Sequence, residues 1–216
     1  GIIGLSYGTS FDNVTNNATV TGGYKFENTY NEGAYVGGLI GSTNSGSTVE
    51  VKNSANNATV EGRMAVGGLI GRSAQSTTIT NSKNNATVTG AYYHVGGLVG
   101  QQSGGNLQVL SNSENSGAVT ANTYYITTIG NVSYSAGGII GAVSGSNCIL
   151  RVINVKNTGE VNGQFVGGII GFINISVVSN STLDKVENRG SVTVSYNETL
   201  LPDSPNLNNY GGYAGG

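Results

Sequence analysis

The chain repeats one seven-residue phrase three times. It reads NNATVTG at residues 16–22, NNATVEG at 56–62 and NNATVTG again at 84–90, and each copy precedes a phrase of the form Val-Gly-Gly-Leu-Ile/Val-Gly. Self-similarity with a period of roughly 20–50 residues is the signature of repeat architectures, in which one unit cannot bury its apolar side chains alone. Each unit must therefore stack on its neighbours to form a continuous core.

The glycine phrase sets the period. Its copies begin at Val36, Val66, Val95, Ala136 and Val166, with a degenerate copy, YGGYAG, assigned to Tyr210. The first glycines are residues 37, 67, 96, 137, 167 and 211, so the period is about thirty residues with two longer steps. A second phrase, Asn-x-Gly/Ala-x-Val, lies between successive copies, and most extra residues enter after it, near residues 22–35, 121–135 and 194–209. Insertions confined to one part of a repeat predict loops on one side of a solenoid.

Composition favours strands over helices. The 216 residues include 36 glycines and many Asn, Ser and Thr, all of which disfavour helix. The segment STVEVKNSANNATVEG at 47–62 instead alternates small or apolar residues with polar ones, which is typical of short strands. The sequence therefore predicts one all-β domain over residues 1–216, a β-solenoid (β-helix) of about six coils of roughly 30 residues. The predicted coils lie near residues 1–37, 38–67, 68–96, 97–137, 138–167 and 168–216.

One repeat position always holds asparagine. Its six members are Asn16, Asn56, Asn84, Asn115, Asn157 and Asn188. In a stack of coils these carboxamides would lie one above another at the strand spacing of about 4.8 Å, and each could donate to the next carbonyl. A second line three residues earlier holds Asn13, Asn53, Asn81, Asn112 and Asn154, with Lys185 in the last repeat. The alternative for either line is that asparagine simply favours turns and the left-handed conformation.

The glycine phrase contains two adjacent apolar residues, Leu39 and Ile40 in the first copy. Neighbours on a strand face opposite ways. Either a bend at the preceding glycines turns both side chains inward, or one set forms an apolar stripe along the outside.

The phrase Gly-Leu-Ile-Gly resembles the GLUG-motif repeats, which are named after Gly-Leu-hydrophobic-Gly and occur in bacterial surface and adhesin-like proteins. The motif stands at residues 38–41, 68–71 and 97–100, with Ile for Leu at 138–141 and 168–171, and a truncated copy at 1–4. The resemblance covers essentially the whole chain. It implies a β-solenoid on a surface or secreted protein, without naming an activity.

Eight Asn-x-Ser/Thr triplets are candidate N-glycosylation sites. They begin at Asn13, Asn17, Asn57, Asn85, Asn131, Asn174, Asn180 and Asn197. A chain this rich in Asn, Ser and Thr contains several such triplets by chance, so position carries the argument. Asn17, Asn57 and Asn85 are the second asparagine of each NNATV copy, which predicts glycans along one corner of the rod. Mass spectrometry of native material tests this expectation.

Catalytic groups are scarce. His94 is the single histidine, which excludes a His-rich zinc site, and we expect it to serve on the surface rather than in catalysis. Cys148 is the single cysteine, so we expect a buried thiol and no internal disulfide. The net charge of −2 gives no reason to expect nucleic acid, and no apolar run is long enough to span a membrane. The sequence therefore predicts a protein that is not an enzyme and needs no cofactor or metal.

Three functions fit these features. The leading one is an extracellular, glycosylated structural rod. The second is an adhesin or binding module that contacts a glycan or protein through tyrosines in the insertion loops. These tyrosines are Tyr24, Tyr30, Tyr35, Tyr124, Tyr125, Tyr134 and Tyr196. The third is an ice-binding face, since Thr-Val-Thr recurs at residues 19–21 and 87–89, although Glu61, Ala118 and Glu160 interrupt the array.

The chain starts and ends within glycine phrases, at GIIGLSYG and NYGGYAGG. Unpaired strand edges at the ends of a solenoid template further pairing unless a polar cap covers them. We therefore expect coils to continue end to end, either as self-association of separate copies or as the covalent junction within a longer solenoid. Both give a rod.

Overall fold

The computed structural model describes residues 1–23, 35–44, 46, 48–122, 134–145, 148–174, 180–195 and 213–216. In these residues the chain forms short β-strands, which we number β1 to β27 in chain order, and no helix. Every strand pair among them is parallel. The strands form four sheets, which we call A to D in the order in which the chain meets them.

Two sheets enclose the first half of each repeat. Sheet A contains β1 (Ile3–Ser6), β6 (Ile40–Thr43), β11 (Ile70–Ser73), β16 (Val99–Gln102), β20 (Ile140–Val143) and β24 (Ile170–Ile173). Sheet B contains β2 (Ser10–Asp12), β3 (Thr15–Asn16), β7 (Val49–Lys52), β8 (Ala55–Asn56), β12 (Thr77–Thr80), β13 (Lys83–Asn84), β17 (Leu107–Asn115), β21 (Leu150–Asn157) and β25 (Thr182–Asn188).

The other two sheets enclose the second half. Sheet C contains β4 (Val20–Thr21), β9 (Val60–Gly62), β14 (Val88–Gly90), β18 (Val119–Ala121), β22 (Val161–Gly163) and β26 (Val192–Val194). Sheet D contains β5 (Val36–Gly37), β10 (Ala65–Gly67), β15 (His94–Gly96), β19 (Ser135–Gly137), β23 (Phe165–Gly167) and β27 (Tyr213–Gly215). The chain passes through A, B, C and D in the same order again and again, which confirms the predicted all-β solenoid.

The long insertions all fall between sheets C and D. Strand β4 ends at residue 21 and β5 begins at 36, β18 ends at 121 and β19 begins at 135, and β26 ends at 194 while β27 begins at 213. The extra residues therefore enter the solenoid at one corner, and the regular path of the backbone continues on either side of them.

The predicted YGGYAG copy at Tyr210, with its first glycine at 211, is wrong. Strand β27 pairs with β23 so that Ala214 lies beside Val166 and Gly215 beside Gly167. The last copy is therefore YAGG at residues 213–216, and the insertion extends to residue 212. Two Gly-Gly pairs stand close together in this segment, and only the strand register distinguishes them.

The interior holds two apolar cores. Leucine, isoleucine and valine side chains of sheets A and B form the larger one, which includes Leu69, Ile70 and Ile79, all fully buried. A second core between sheets C and D consists almost entirely of valine, with Val60 and Val66 among its buried members. Parallel strands pair each coil with equivalent residues in the next, so each core extends along the stack as a continuous column.

A bend in the glycine phrase turns two adjacent residues inward. Leu39 and Ile40 are both 0 % exposed, so the alternative of an outer apolar stripe is excluded there. The bend brings sheets A and D into backbone contact, and a Cβ added to Gly71 would lie 2.5 Å from the carbonyl oxygen of Gly41 and 2.6 Å from the amide nitrogen of Val36. Only glycine fits at that position, because real Cβ atoms do not approach backbone atoms so closely.

Candidate functional site

A column of hydrogen-bonded asparagine amides runs through the centre of the solenoid, and we call it the asparagine ladder. Asn56 Nδ2 donates to Asn84 Oδ1 at 2.8 Å, and Asn84 Nδ2 donates to Asn115 Oδ1 at 2.7 Å. The same bond joins Asn16 to Asn56, Asn115 to Asn157, and Asn157 to Asn188. The structure thus brings all six asparagines of the first predicted line into one continuous chain.

Each ladder amide also stabilises its own turn. The second Nδ2 hydrogen of Asn84 bonds to the carbonyl oxygen of Ala86 at 2.7 Å, two residues later. The equivalent bonds reach Ala18, Ala58, Gly117, Gly159 and Gly190. Both donors of the amide are satisfied, which removes the cost of about 1–3 kcal/mol that an unpaired buried polar group would carry.

The ladder lies between the two apolar cores. Asn56, Asn84, Asn115 and Asn157 are 0 % exposed. Opposite them stands the second glycine of each glycine phrase, and a Cβ added to Gly38 would lie 2.5 Å from Asn56 Cγ. The glycine phrase and the asparagine phrase therefore pack against each other, because the second glycine has no side chain and leaves space for the buried amide.

The second predicted line combines both alternatives considered for it. Asn13, Asn53, Asn81, Asn112, Asn154 and Lys185 all have φ between 49° and 59°. Asn112 Nδ2 donates to Asn81 Oδ1, and Asn81 Nδ2 to Asn53 Oδ1, both at 3.3 Å and in an exposed position. Asparagine tolerates the left-handed conformation that bends sheet B here, and it adds weak, solvent-exposed amide contacts.

The three candidate glycosylation sites of the NNATV copies, Asn17, Asn57 and Asn85, form an exposed column. Asn57 Nδ2 donates to Asn17 Oδ1 at 2.9 Å, and Asn85 Nδ2 donates to Asn57 Oδ1 at 2.8 Å. The side chains at Asn13, Asn174 and Asn180, which begin three other triplets, are also exposed. Asn131 and Asn197 lie outside the described residues. Every candidate glycosylation asparagine that the structure describes is therefore exposed to solvent.

Two of the seven candidate binding tyrosines lie within the described residues. Tyr35 is half-buried, and the Arg72 guanidinium carbon lies 4.9 Å from the centre of its ring. Tyr134 is also half-buried, and desolvation, with smaller contributions from Tyr93 and Tyr92, raises its pKa to about 12. The other five, Tyr24, Tyr30, Tyr124, Tyr125 and Tyr196, lie outside the described residues.

His94 lies in the outer wall of the solenoid, where it is half-buried and packed against its neighbours. Its Nδ1 lies 2.7 Å from Ser135 Oγ, and its ring stacks on Phe172 with centroids 6.4 Å apart. The side chain is half-buried, and desolvation lowers its pKa to about 4. The imidazole is therefore neutral at pH 7. No strand signal predicted this, because the stacked ring of Phe172 comes from another coil.

Acidification should destabilise the protein through His94. The folded pKa of about 4 lies below the unfolded value of 6.5, so the unfolded chain binds more protons in between, and stability falls as pH decreases from about 6.5. We expect the free energy of unfolding to drop by about 2 kcal/mol between pH 7 and pH 5, measured by urea denaturation. His94→Gln should abolish that slope, since no other histidine exists. An equal slope in the variant would contradict the prediction.

Other reactive groups do not converge. Cys148 is buried in the larger core, as expected, and desolvation raises the pKa of its thiol. Across the described ranges, no three His, Cys, Asp or Glu side chains lie close enough to hold a metal ion. A search of the same residues for a helix able to cross the lipid bilayer finds none.

Comparison with protein families identifies the repeat. Residues 62–89 match the family model described as the GLUG motif, which confirms the resemblance seen in the sequence. The matched span contains one complete glycine phrase and ladder residue Asn84, so it covers the two elements that pack against each other. The fold is therefore a β-solenoid in which one repeat, at residues 62–89, matches the GLUG motif.

A curated relative extends the similarity. The chain is 33 % identical to halomucin of Haloquadratum walsbyi (strain DSM 16790 / HBSQ001) over 154 residues, which is 66 % of this chain and 2 % of halomucin. The chain thus spans a very small part of that relative. No solved structure matches it. The GLUG match and the halomucin similarity together indicate a repeat protein that is secreted or displayed at a surface.

Proposed function

We propose that this protein is an extracellular structural rod whose stacked coils continue end to end as a filament, stalk or surface fibre. The observation that carries the proposal is the buried asparagine ladder, whose inner amides use both of their donor hydrogens. A chain that only needed a core could use valine or leucine at these positions. Buried amides whose side-chain partners are their equivalents above and below favour one register and one direction of stacking.

The two end coils would accept a further coil, either from another copy or within a longer chain. Among the described residues, Asn188 Nδ2 uses one hydrogen, on the carbonyl oxygen of Gly190, and Asn16 Oδ1 accepts only a 3.4 Å bond from the amide of Ala18. Leu5 is 50 % exposed at one end, and Ile173 is 49 % exposed at the other. A further coil at either end would meet a complementary amide and apolar surface.

Imaging and sedimentation test this assembly. We expect the purified chain to form rods of variable length in negative-stain images and a broad, concentration-dependent sedimentation profile. Leu5→Lys combined with Ile173→Lys should give monomers, because charges on both end faces oppose pairing. The matched control is Thr120→Lys, a half-buried position on the side of sheet C, which should still form rods. A wild-type chain that stays monomeric at high concentration would refute self-association.

Glycosylation of Asn17, Asn57 and Asn85 is part of the same proposal. Their exposure along one corner supports it, because sugars there would project away from both cores. The exposed amide bonds between them cost little to lose, since solvent can replace them. Attached sugars would cover one edge of the rod and keep neighbouring rods apart.

We also propose that the rod has no catalytic activity of its own. His94 forms a hydrogen bond with Ser135, and desolvation keeps its imidazole neutral at pH 7. Cys148 lies in the larger core. Ser135, the hydroxyl partner of His94, is 0 % exposed, as is Cys148, so neither group can reach a substrate. The second candidate function, ligand binding, is supported by a different part of the surface.

A further inference from the structure

A groove of about 260 Å³ lies at the corner where sheet D turns into sheet A. Its lining includes Tyr35, Ala65, Arg72, Tyr93, His94 and Gln101. The volume falls just below the usual range for sites that enclose a drug-sized ligand, which is roughly 300–1,000 Å³. It suits a single ring with a few polar substituents.

The groove lies where a small residue separates two rings in one column of sheet D. On sheet D the register places Ala65 beside His94, and Val66 beside Val36, so that Tyr35 is the neighbour of Ala65 on the other side. Ala65 is 1 % exposed and lies at the base of the groove, beneath the surrounding side chains. The rings of Tyr35 and His94 rise on either side, two strand spacings or about 9.6 Å apart along the stack.

Two arginines give the groove a positive charge. Arg72 stacks on Tyr35, and its Nε donates to Ser103 Oγ at 2.9 Å, which fixes the guanidinium. Next to the groove, the guanidinium carbon of Arg63 lies 5.1 Å from the centre of the Tyr92 ring. Neither arginine forms an ion pair with a carboxylate in the described parts of the chain. Stacking on a ring orients a guanidinium but leaves its charge available to an anion.

Tyr93 adopts a strained backbone conformation at the rim. Its φ is 55°, whereas most other non-glycine residues with positive φ in the described chain are asparagines of the sheet B bend. A bulky side chain in this region costs of order 1–3 kcal/mol and persists only where the surroundings enforce it. Such positions cluster at ligand sites.

We propose that this groove binds a sugar ring that carries a carboxylate, as part of an acidic saccharide. The carboxylate pairs with the free nitrogens of Arg72, the ring lies over Ala65 against Tyr93, and the Gln101 amide meets the hydroxyls. His94 is neutral at pH 7 and adds no charge, so the anion preference comes from arginine alone. This goes beyond the structural role and specifies a ligand for the alternative binding role.

An acidic peptide fits the groove less well. Extended peptides bind to sheets by adding a strand to an unpaired edge. Strand β10, which carries Ala65, is paired on both sides, with β5 and β15. A small depression framed by rings on a fully paired sheet suits a ring-shaped ligand.

The test is a titration with trigalacturonic acid, followed by chemical-shift changes and calorimetry on the whole chain. We expect Arg72→Gln to weaken binding at least tenfold, because a charge-assisted pair is lost. The matched control is Arg151→Gln, which removes an exposed arginine on β21 of sheet B and should leave binding unchanged. Ala65→Phe should also abolish binding by filling the floor, and Phe165 in the same column shows that the fold accepts a phenyl ring there.

Four outcomes would overturn the proposal. They are no binding by the wild-type chain, equal binding of neutral galactotriose, equal weakening by Arg151→Gln, and tighter binding of triglutamate than of the saccharide. Circular dichroism and thermal unfolding of each variant verify the fold. Rod formation is measured separately in images, so failure of the assembly proposal leaves this test intact.

Discussion

Replacing one buried ladder asparagine should remove most of the stability of the solenoid. In Asn84→Ala, Asn56 Nδ2 loses its acceptor and Asn115 Oδ1 loses its donor, both in the buried interior. The part-buried carbonyl oxygen of Ala86 also loses its partner. Each unpaired buried group costs about 1–3 kcal/mol, and these costs accumulate. We expect a loss of about 4 kcal/mol or more in the free energy of unfolding, measured by guanidinium denaturation.

The next residue supplies the control. Asn85→Ala removes an amide that also bonds along the stack at 2.8 Å, but in an exposed position. Water replaces its partners, so the loss should stay below about 1 kcal/mol. Equal losses for the two variants would show that burial does not determine the strength of the ladder, and would contradict our account of it.

The last glycine of the GLUG motif should tolerate no side chain within the stack. In Gly71→Ala, the new Cβ would meet the backbone of two other strands, at Gly41 and Val36. Backbone atoms cannot rotate away as a side chain can, so sheets A and D must separate. We expect a loss of about 3 kcal/mol or more, measured by thermal and chemical unfolding, at the upper end of the range for overpacked cores.

Gly4 occupies the same motif position in the first coil. A Cβ added there meets nothing within 4 Å. Gly4→Ala should therefore leave stability within about 0.5 kcal/mol of the wild type, as surface substitutions usually do. A large loss at Gly4, or none at Gly71, would contradict the account that the motif glycines are required by close packing.

Much of this architecture could be predicted from the sequence because the chain repeats itself. Asn16 and Asn56 hold the same position in their units, and stacking brings equivalent positions together, so a column of amides was expected. Adjacent Leu39 and Ile40 were ambiguous, because the rule that neighbours alternate fails at a bend. That Gly71 touches Val36 across the bend could not be read from spacing.

The groove was harder to foresee than the ladder. The NNATV and glycine phrases align Ala65 with His94, but nothing in that alignment places Arg72 of sheet A over Tyr35 of sheet D. The half-burial of His94 was not foreseen, since a lone histidine beside two tyrosines gives no sign that Phe172 stacks on it. Contacts between units follow from the repeat, whereas contacts across a corner depend on how sharply the backbone turns.

The ladder gives the solenoid an electric dipole along its axis. All its amides donate the same way, from Asn16 towards Asn188, so their dipoles add along the axis instead of cancelling. Aligned peptide groups in a helix produce about half a unit charge of opposite sign at its two ends by the same mechanism. One end of the stack therefore presents amide hydrogens and the other presents oxygens. An electric field along such a fibre would orient it, and its two tips would attract ions of opposite sign.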